Sequence, residues 1–395
     1  MYLLLLNAGS SSLKGALVQL PSRQPAATAT AEWSGDQTKY QWQDLHGTRH
    51  RGETRPWRDH VEAFHGMVKD LLAAPVQPAD ILAVGHRVVH GGRFDTAVKI
   101  TPAVRQEIEA VSEQAPLHNP ASLATIDAAQ AALPRATHIA TFDTCFHRTL
   151  PPEAATYPLP RQWTEDWGIR RHGFHGLSHE YCLQRTAELM QQPADGLKLI
   201  TCHLGHGCSA AAISAGRCID TTMGFTPLEG LMMASRCGDV DAGAILWVQQ
   251  AQQMTAKQVE QVLCYESGLL GISGVSADMR AVLAASDAGN ERARLAIQVY
   301  VHRLRKAIGG LFATLGGADA LVFTAGVGEN SPPIRAQACE RLAPLGIEID
   351  PARNRQPPPD SDISTDRSAA RVFVLAARED LTMVQQMAQL LKLAT

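Results

Sequence analysis

The chain has 395 residues, about twice the size of an ordinary domain, so two domains are expected. Lys and Arg number 36 against 39 Asp and Glu, a formal net charge of −3 with no long basic run, so nothing points to nucleic acid or an anionic membrane surface. No apolar stretch reaches membrane-spanning length, and the apolar start is too short, and lacks the basic flank, for a secretion signal. The eight cysteines are scattered without a Cys-x-x-Cys pair, which predicts free, mostly buried thiols and a cytoplasmic location.

In chain order, residues 3–6 form a compact apolar strand signal ended by Asn7-Ala-Gly-Ser-Ser-Ser12. Extended runs follow at 13–20 and 28–33, then a helical stretch at 60–73 with Val61, Phe64, Val68, Leu71 and Leu72 at helical spacing. Further strands are predicted at 81–89 and 137–142. The second half repeats the opening: a strand at 197–202, a glycine-rich turn at His203-Leu-Gly-His-Gly-Cys-Ser209, then strands at 210–214 and 217–220. Apolar strands at 320–324 and 372–375 run into Ala325-Gly-Val-Gly-Glu-Asn330 and Ala376-Ala-Arg-Glu-Asp380. Helices fill the intervals, notably 290–315 and 381–393, and the Pro-rich 356–360 is a loop. The class is α/β.

Four groups of residues carry candidate chemistry. Glycine-rich turns after strands bare rows of N–H donors that suit phosphate oxygens, and three occur, at 7–12, 205–209 and 326–330. Each is also compatible with a plain tight turn. None is a Walker A loop or a dinucleotide fingerprint. Arg87 and Arg236 sit in apolar, glycine-flanked settings where a forked donor pair fits carboxylate or phosphate, with a surface ion pair as the alternative. Asp143 and Glu379 end strands, where acidic residues hold a hard divalent cation or cap a helix. His172, His175 and His179, with His203 and His206 beside Cys202 and Cys208, form the fourth group, from which a metal hydrolase is the alternative reading. The four-residue step from His175 to His179 fits a helical zinc pair, but Gly173 and Gly176 interrupt the helix and no Glu follows the first His, so zinc is not favoured.

Taken together, these segments resemble the acetate kinase family over nearly the whole chain. The resemblance rests on Asn7-Ala-Gly-Ser-Ser-Ser-Leu-Lys14, Gly85-His-Arg-Val-Val-His-Gly-Gly92, Ala115-Pro-Leu-His-Asn-Pro120, Thr141-Phe-Asp-Thr144 and Arg171-His-Gly-Phe-His-Gly176. Thr201–Gly207, Asp220–Met233 and Phe323-Thr-Ala-Gly-Val-Gly-Glu-Asn-Ser331 follow in the same order. It implies a two-domain acetate and sugar kinase/Hsp70/actin (ribonuclease H-like) fold with a duplicated β-β-β-α-β-α-β-α core, the domains spanning 1–143 plus 380–395 and 144–379. It also implies a cytoplasmic homodimer joined through the second domain.

The implied reaction is reversible phosphoryl transfer from ATP to acetate, giving acetyl phosphate and ADP with Mg²⁺ or Mn²⁺, and propionate as a secondary substrate. By the same resemblance Arg87 and Arg236 bind carboxylate and migrating phosphoryl group, and His175 donates to the phosphoryl oxygens. Asp143, Glu379 and Asn7 organise the metal. Val89, Leu117, His118, Phe174 and Pro227 surround the acid. Ser10, Ser12, Lys14, His203, Gly205, His206 and Gly207 lie along the phosphates, and Asp278, Met279, Arg280, Gly326, Val327, Gly328, Glu329 and Asn330 line the nucleotide site. A propionate or butyrate kinase and a non-catalytic nucleotide-binding module are the rival readings; two carboxylate-binding arginines argue against the second. The family usually has Asn where His206 stands, small residues at Cys208 and Cys237, Pro at Ala242 and Asn at Arg378. None of the chemical residues is lost.

Overall fold

The computed structural model describes all residues except 10, 11, 23, 35, 36, 74, 117, 394 and 395, so Ser10 and Leu117 lie outside the described residues. The chain divides into two compact units, Met1–Cys145 with Arg378–Thr395, and Phe146–Ala377.

The first unit is built on strands β1 (Tyr2–Ala8), β2 (Ser12–Gln19), β3 (Gln24–Ser34), β4 (Gln37–Gln43), β5 (Arg49–Arg55), β6 (Ile81–Val88), β7 (Val98–Lys99) and β8 (Thr137–Phe142). They form one sheet in the order β5-β4-β3-β2-β1-β6-β8-β7. β1 is central, antiparallel to β2 and parallel to β6, and its unbroken Leu3–Leu4–Leu5–Leu6 run reflects burial on both faces. Helix His60–Leu71 starts where the Asp59 side chain accepts from the Val61 and Glu62 N–H groups. It lays Ala63, Phe64, Met67 and Leu71 into the core beside Leu13 and Leu17 of β2. The C-terminal helix Glu379–Leu391 packs on β6 at Gly85, where a Cβ would stand 2.4 Å from Met387 Sδ. Glycine there lets the helix approach and brings Glu379 to the end of β6.

The second unit carries β9 (Lys198–Leu204), β10 (Cys208–Ser214), β11 (Arg217–Thr221), β12 (Ala320–Thr324), β13 (Ser361–Asp362) and β14 (Arg371–Val374), in the order β11-β10-β9-β12-β14-β13. β9 is antiparallel to β10 and parallel to β12, and β12 is parallel to β14. Both sheets therefore share one core: β3-β2-β1-β6-β8 in the first and β11-β10-β9-β12-β14 in the second have the same order and the same sequence of antiparallel and parallel pairings. The duplication expected from the paired strand–turn–strand patterns is present. Helix Glu291–Leu315 buries Ala293, Ala296, Ile297, Tyr300, Val301, Leu304, Ile308 and Leu311 along one face, with Asn290 as its cap.

One expectation is corrected. Residues 326–330 are not a turn: Ala325–Asn330 is a short helix following directly on β12. Its glycines give the end of a strand a tight entry into the helix, with Ala325 itself at φ +66°.

The first sheet holds a buried histidine pair. His138 Nε2 faces the Leu133 carbonyl at 3.1 Å and must donate to it, so its Nδ1 accepts from His86 Nε2–H at 3.1 Å. Burial holds both imidazoles below the usual histidine range, with His138 adding to the effect on His86. Both are thus neutral in the fold, whereas the unfolded chain protonates them below about pH 6.5. The stability that neutral burial confers is present at neutral pH and is lost as pH falls below that value. The thermal midpoint should drop between pH 7 and pH 5, and the drop should shrink in His86→Leu; an equal drop in that variant would refute the assignment.

Candidate functional site

In the first unit the site residues gather at the carboxyl ends of parallel strands. Asn7 on β1 lies in register with Arg87 on β6 and with Lys14 on β2. β8 pairs with β6, so Asp143, one residue past β8, reaches the same end. Arg87 Nε donates to Asp143 Oδ1 at 2.8 Å and Nη2 to Oδ2 at 2.6 Å, a two-pronged match, while Nη1 pairs with Glu379 at 2.9 Å. Arg87 is ion-paired, as the alternative reading allowed, but not on the surface: its side chain is 15% exposed and that of Asp143 1%. Burial weakens the guanidinium's hold on its proton, but Asp143 and then Glu379 outweigh it, so the pKa is raised. At Glu379 burial leads and raises the pKa; Arg87 opposes it, Asp143 adds to it and Lys14 lowers it. Ser12 begins β2, its carbonyl accepting from Gly9 N–H at 2.8 Å. Val89, just beyond β6, is buried, and His118 directly precedes helix Asn119–Ala132.

Could these residues hold Mg²⁺? Two carboxylates lie within reach of one guanidinium, with an amide one strand away; Mg²⁺ typically takes one or two protein carboxylates and fills its remaining positions with water and substrate phosphate. The donor set is hard oxygen and suits it.

In the second unit, residues 205–207 link β9 to β10, with Gly205 N–H donating to Gly207 O at 3.0 Å. Three cationic or imidazole groups surround this turn. A Cβ on Gly207 would stand 3.4 Å from Arg236 Nη1 and 3.4 Å from His175 Nε2, and a Cβ on Gly205 would stand 3.4 Å from His203 Nε2. The His175 and His203 rings stack at 4.1 Å. His206 shares this turn; burial and then the Arg236 charge hold its pKa low, so this departure places a neutral imidazole there.

Arg236 differs from Arg87. It is 9% exposed, its Nη1 donates to Pro227 O at 2.9 Å, and among the described residues no carboxylate pairs with it. Burial lowers its pKa without lifting it out of the charged range that guanidinium keeps. A buried guanidinium without a counter-ion costs free energy that an incoming anion repays.

His175 lies in the left-handed region at φ +58°, just before helix Gly176–Met190. A non-glycine residue there costs about 1–3 kcal/mol and persists only where surroundings impose it. His147, fully buried, imposes part of it: its Nε2–H donates to Phe174 O at 2.9 Å. Arg171 holds the other side, donating to the Thr222 and Met223 carbonyls and pairing with Glu229 at 2.7 Å. Phe174 is buried.

Ala325–Asn330 is held from behind. Arg335, fully buried, donates to the Gly328 and Glu329 carbonyls at 2.7 and 2.8 Å and to both oxygens of Asn354. Burial brings its pKa down to about 10. Asn330 Nδ2 donates to Gly326 O, and the Glu329 carboxylate, raised by burial, accepts from Ala377 N–H at 3.0 Å. Val327 lies within this helix. Asp278 caps helix Met279–Asp287 and pairs with Arg280 at 2.6 Å, with Met279 buried; among the described residues no hydrogen bond or ion pair joins them to 203–207 or 325–330.

Sequence reasoning missed Ser209, Thr201, His147 and Arg335. Ser209 and Thr201 stood within motif segments, but a buried hydroxyl announces itself only through the partners the fold supplies.

The Acetokinase family model matches residues 2–385. Acetate kinase of Gloeobacter violaceus is 46% identical over 402 residues, covering 98% of each chain, and that of a Synechococcus strain is 47% identical over 393 residues, covering 96% of each. Among solved structures, the acetate kinase of Porphyromonas gingivalis matches with a TM-score of 0.90 at 36% identity over 99% of each chain. A propionate kinase from Francisella tularensis matches with 0.89 at 36% identity over 98% of each. A match of this length in sequence and in fold places the chain in the acetokinase family, to which it belongs.

Proposed function

We propose that the protein transfers the γ-phosphoryl group of ATP reversibly to the carboxylate of acetate, giving acetyl phosphate and ADP by in-line displacement. The observation that carries this reading is Arg236, a buried guanidinium without a carboxylate partner among the described residues, flanking with His175 Nε2 a glycine that leaves the space beside them open. Such transfer asks little covalent work of a protein; it needs positioning and neutralisation of oxygens. Arg236 meets the migrating phosphoryl group, His175 donates to its oxygens, and the 205–207 turn follows the donor phosphates. Arg87, fixed by Asp143, orients the substrate carboxylate, with His118 beside it. Val89, Phe174, Pro227 and Leu117 give the acid apolar walls. Asn7, Asp143 and Glu379 would hold Mg²⁺ or Mn²⁺, which supplies charge neutralisation on the nucleotide phosphates when bound. Ser10, Ser12, Lys14 and His203 attend the phosphates, and residues 278–280 with 326–330 the adenosine.

The protein works in the cytoplasm, which its eight free cysteines support; among the described residues no helix is long and apolar enough to cross a membrane. It acts as a homodimer through the second unit. Helix Ala242–Ala251 supports this: it buries none of its own residues and leaves Leu246 57% and Trp247 66% exposed. A native mass equal to one chain would refute the dimer.

The test is acyl hydroxamate formation from ATP, Mg²⁺ and acids of increasing length. Acetate should react best, and propionate should lose about 10- to 200-fold in kcat/KM, the worth of one methylene in a small pocket. No product from any acid, with ATP binding intact, would overturn the assignment. A preference for propionate or butyrate would move it to the neighbouring acid.

A further inference from the structure

Behind His175 runs a buried chain of hydrogen bonds. His175 Nδ1 lies 2.9 Å from Ser209 Oγ, Ser209 Oγ lies 2.8 Å from His179 Nε2, and His179 Nδ1 lies 2.7 Å from Thr201 Oγ1. Ser209, His179 and Thr201 are each 0% exposed. The four-residue step from His175 to His179, which suggested a metal pair, instead brings both imidazoles onto one serine hydroxyl.

The order of protons along this chain follows from counting donors. A hydroxyl has a single proton to give. Among the described residues the Thr201 hydroxyl has one hydrogen-bond partner, His179 Nδ1, and a buried hydroxyl that donated to nothing would forfeit its bond. Thr201 therefore donates to His179 Nδ1. His179, which burial and the neighbouring His147 and His203 keep neutral, then carries its proton on Nε2 and donates to Ser209. Ser209 accepts from His179 and gives its own single proton to His175 Nδ1, the other hydrogen-bond partner of its hydroxyl among the described residues. That leaves the His175 proton on Nε2, the nitrogen on the side of Gly207 and Arg236.

We propose that Thr201, His179 and Ser209 are positioning residues that fix His175 as its Nε2–H tautomer, so that it faces the transferring phosphoryl group as a ready donor. The inference rests on the role given to His175 above. Reversing the chain would put the His175 proton on Nδ1 and turn a lone pair toward an anion. A histidine fixed in the wrong tautomer is known to be costly in catalysis even when its place is unchanged.

The decisive variant is Thr201→Val, nearly the same in shape, three hydrogen bonds from His175 and without its own part in the transfer. Free of the threonine proton, His179 can carry its proton on Nδ1, and the order collapses back to His175. We expect kcat to fall about 10- to 100-fold, the usual cost of losing a group that orients a working one, with KM for ATP and acetate unchanged and Thr201→Ser restoring turnover. Ser209→Ala should behave likewise. The chemical signature is the long-range proton–nitrogen spectrum of the His175 ring in ¹⁵N-histidine-labelled protein: Nε2–H in the native enzyme and in Thr201→Ser, a shift toward Nδ1–H in Thr201→Val. A merely structural role would leave that tautomer in place. Native kcat and an Nε2–H ring in Thr201→Val would overturn the proposal, while a crippled His175→Ala would leave the role of His175 standing. Native turnover in His175→Ala would remove that role and this inference with it.

Discussion

Replacing Arg236 with Ala should lower kcat on the order of 10³-fold or more, the scale on which an arginine aimed at a transferring phosphoryl group acts. The structure isolates this residue from ordinary structural duty. It is buried, no carboxylate among the described residues pairs with it, and its one short hydrogen bond runs to the Pro227 carbonyl. Removing it leaves no carboxylate stranded, so the second unit should keep its fold and the loss should appear in turnover. Arg236→Lys should recover only a small part, because an ammonium keeps the charge but not the fork that spans two oxygens. The measurement is steady-state kinetics in both directions, with ligand-free melting as the control. A variant that melts as the native protein does and retains more than a tenth of its turnover would remove Arg236 from the reaction.

How much of this was legible in the chain depends on the range of the interaction. The core strands could be read because they are buried on both faces and so appear as apolar runs: residues 3–6, 137–142 and 320–324 each became a strand at that place. β4 and β5 were not anticipated. Only Thr38 and Tyr40 of β4 are buried, and β5 is a half-exposed edge, so neither carries an apolar run. The short helix at Ala325–Asn330 was hidden by its glycines, which speak for a turn until Arg335 is seen holding the last carbonyls from behind. The same division runs through the site. Arg87 and Arg236 stand out as charge beside glycine in apolar segments, Asp143 as a carboxylate at a strand end, and His175 as one of a glycine-spaced group of histidines. Yet nothing local to Arg87 and Arg236 says that one is clamped by two carboxylates and the other is not. That difference arises because the fold brings Asp143 and Glu379, both far away in sequence, onto Arg87, and gives Arg236 only the nearby Pro227 carbonyl as a short side-chain partner among the described residues.

That clamp gives the largest expected effect on stability. Arg87, Asp143 and Glu379 form one largely buried group, with Asp143 fully buried and the other two side chains 15% and 17% exposed, in which each charge relies on the others; taking away one partner of a fully buried pair costs about 3–5 kcal/mol, an upper figure here, because the survivor is left uncompensated. Asp143→Ala removes the carboxylate that takes two of the three bonds Arg87 makes to acids. It should therefore unfold the first unit at clearly lower urea, read by the fluorescence of its half-buried Trp33, Trp42 and Trp57, while the second unit's transition stays in place. Turnover should vanish as well, since an unclamped Arg87 no longer presents its guanidinium at a fixed position. Removing both partners, in Asp143→Ala with Arg87→Met, should restore part of the stability and none of the activity. The double variant leaves no arginine to strand, although Glu379 then loses the charge that offsets its burial. That split separates what the clamp does for the fold from what it does for the substrate. Additive losses across the cycle would show instead that Arg87 and Asp143 contribute independently, and that the two-pronged contact is incidental to both.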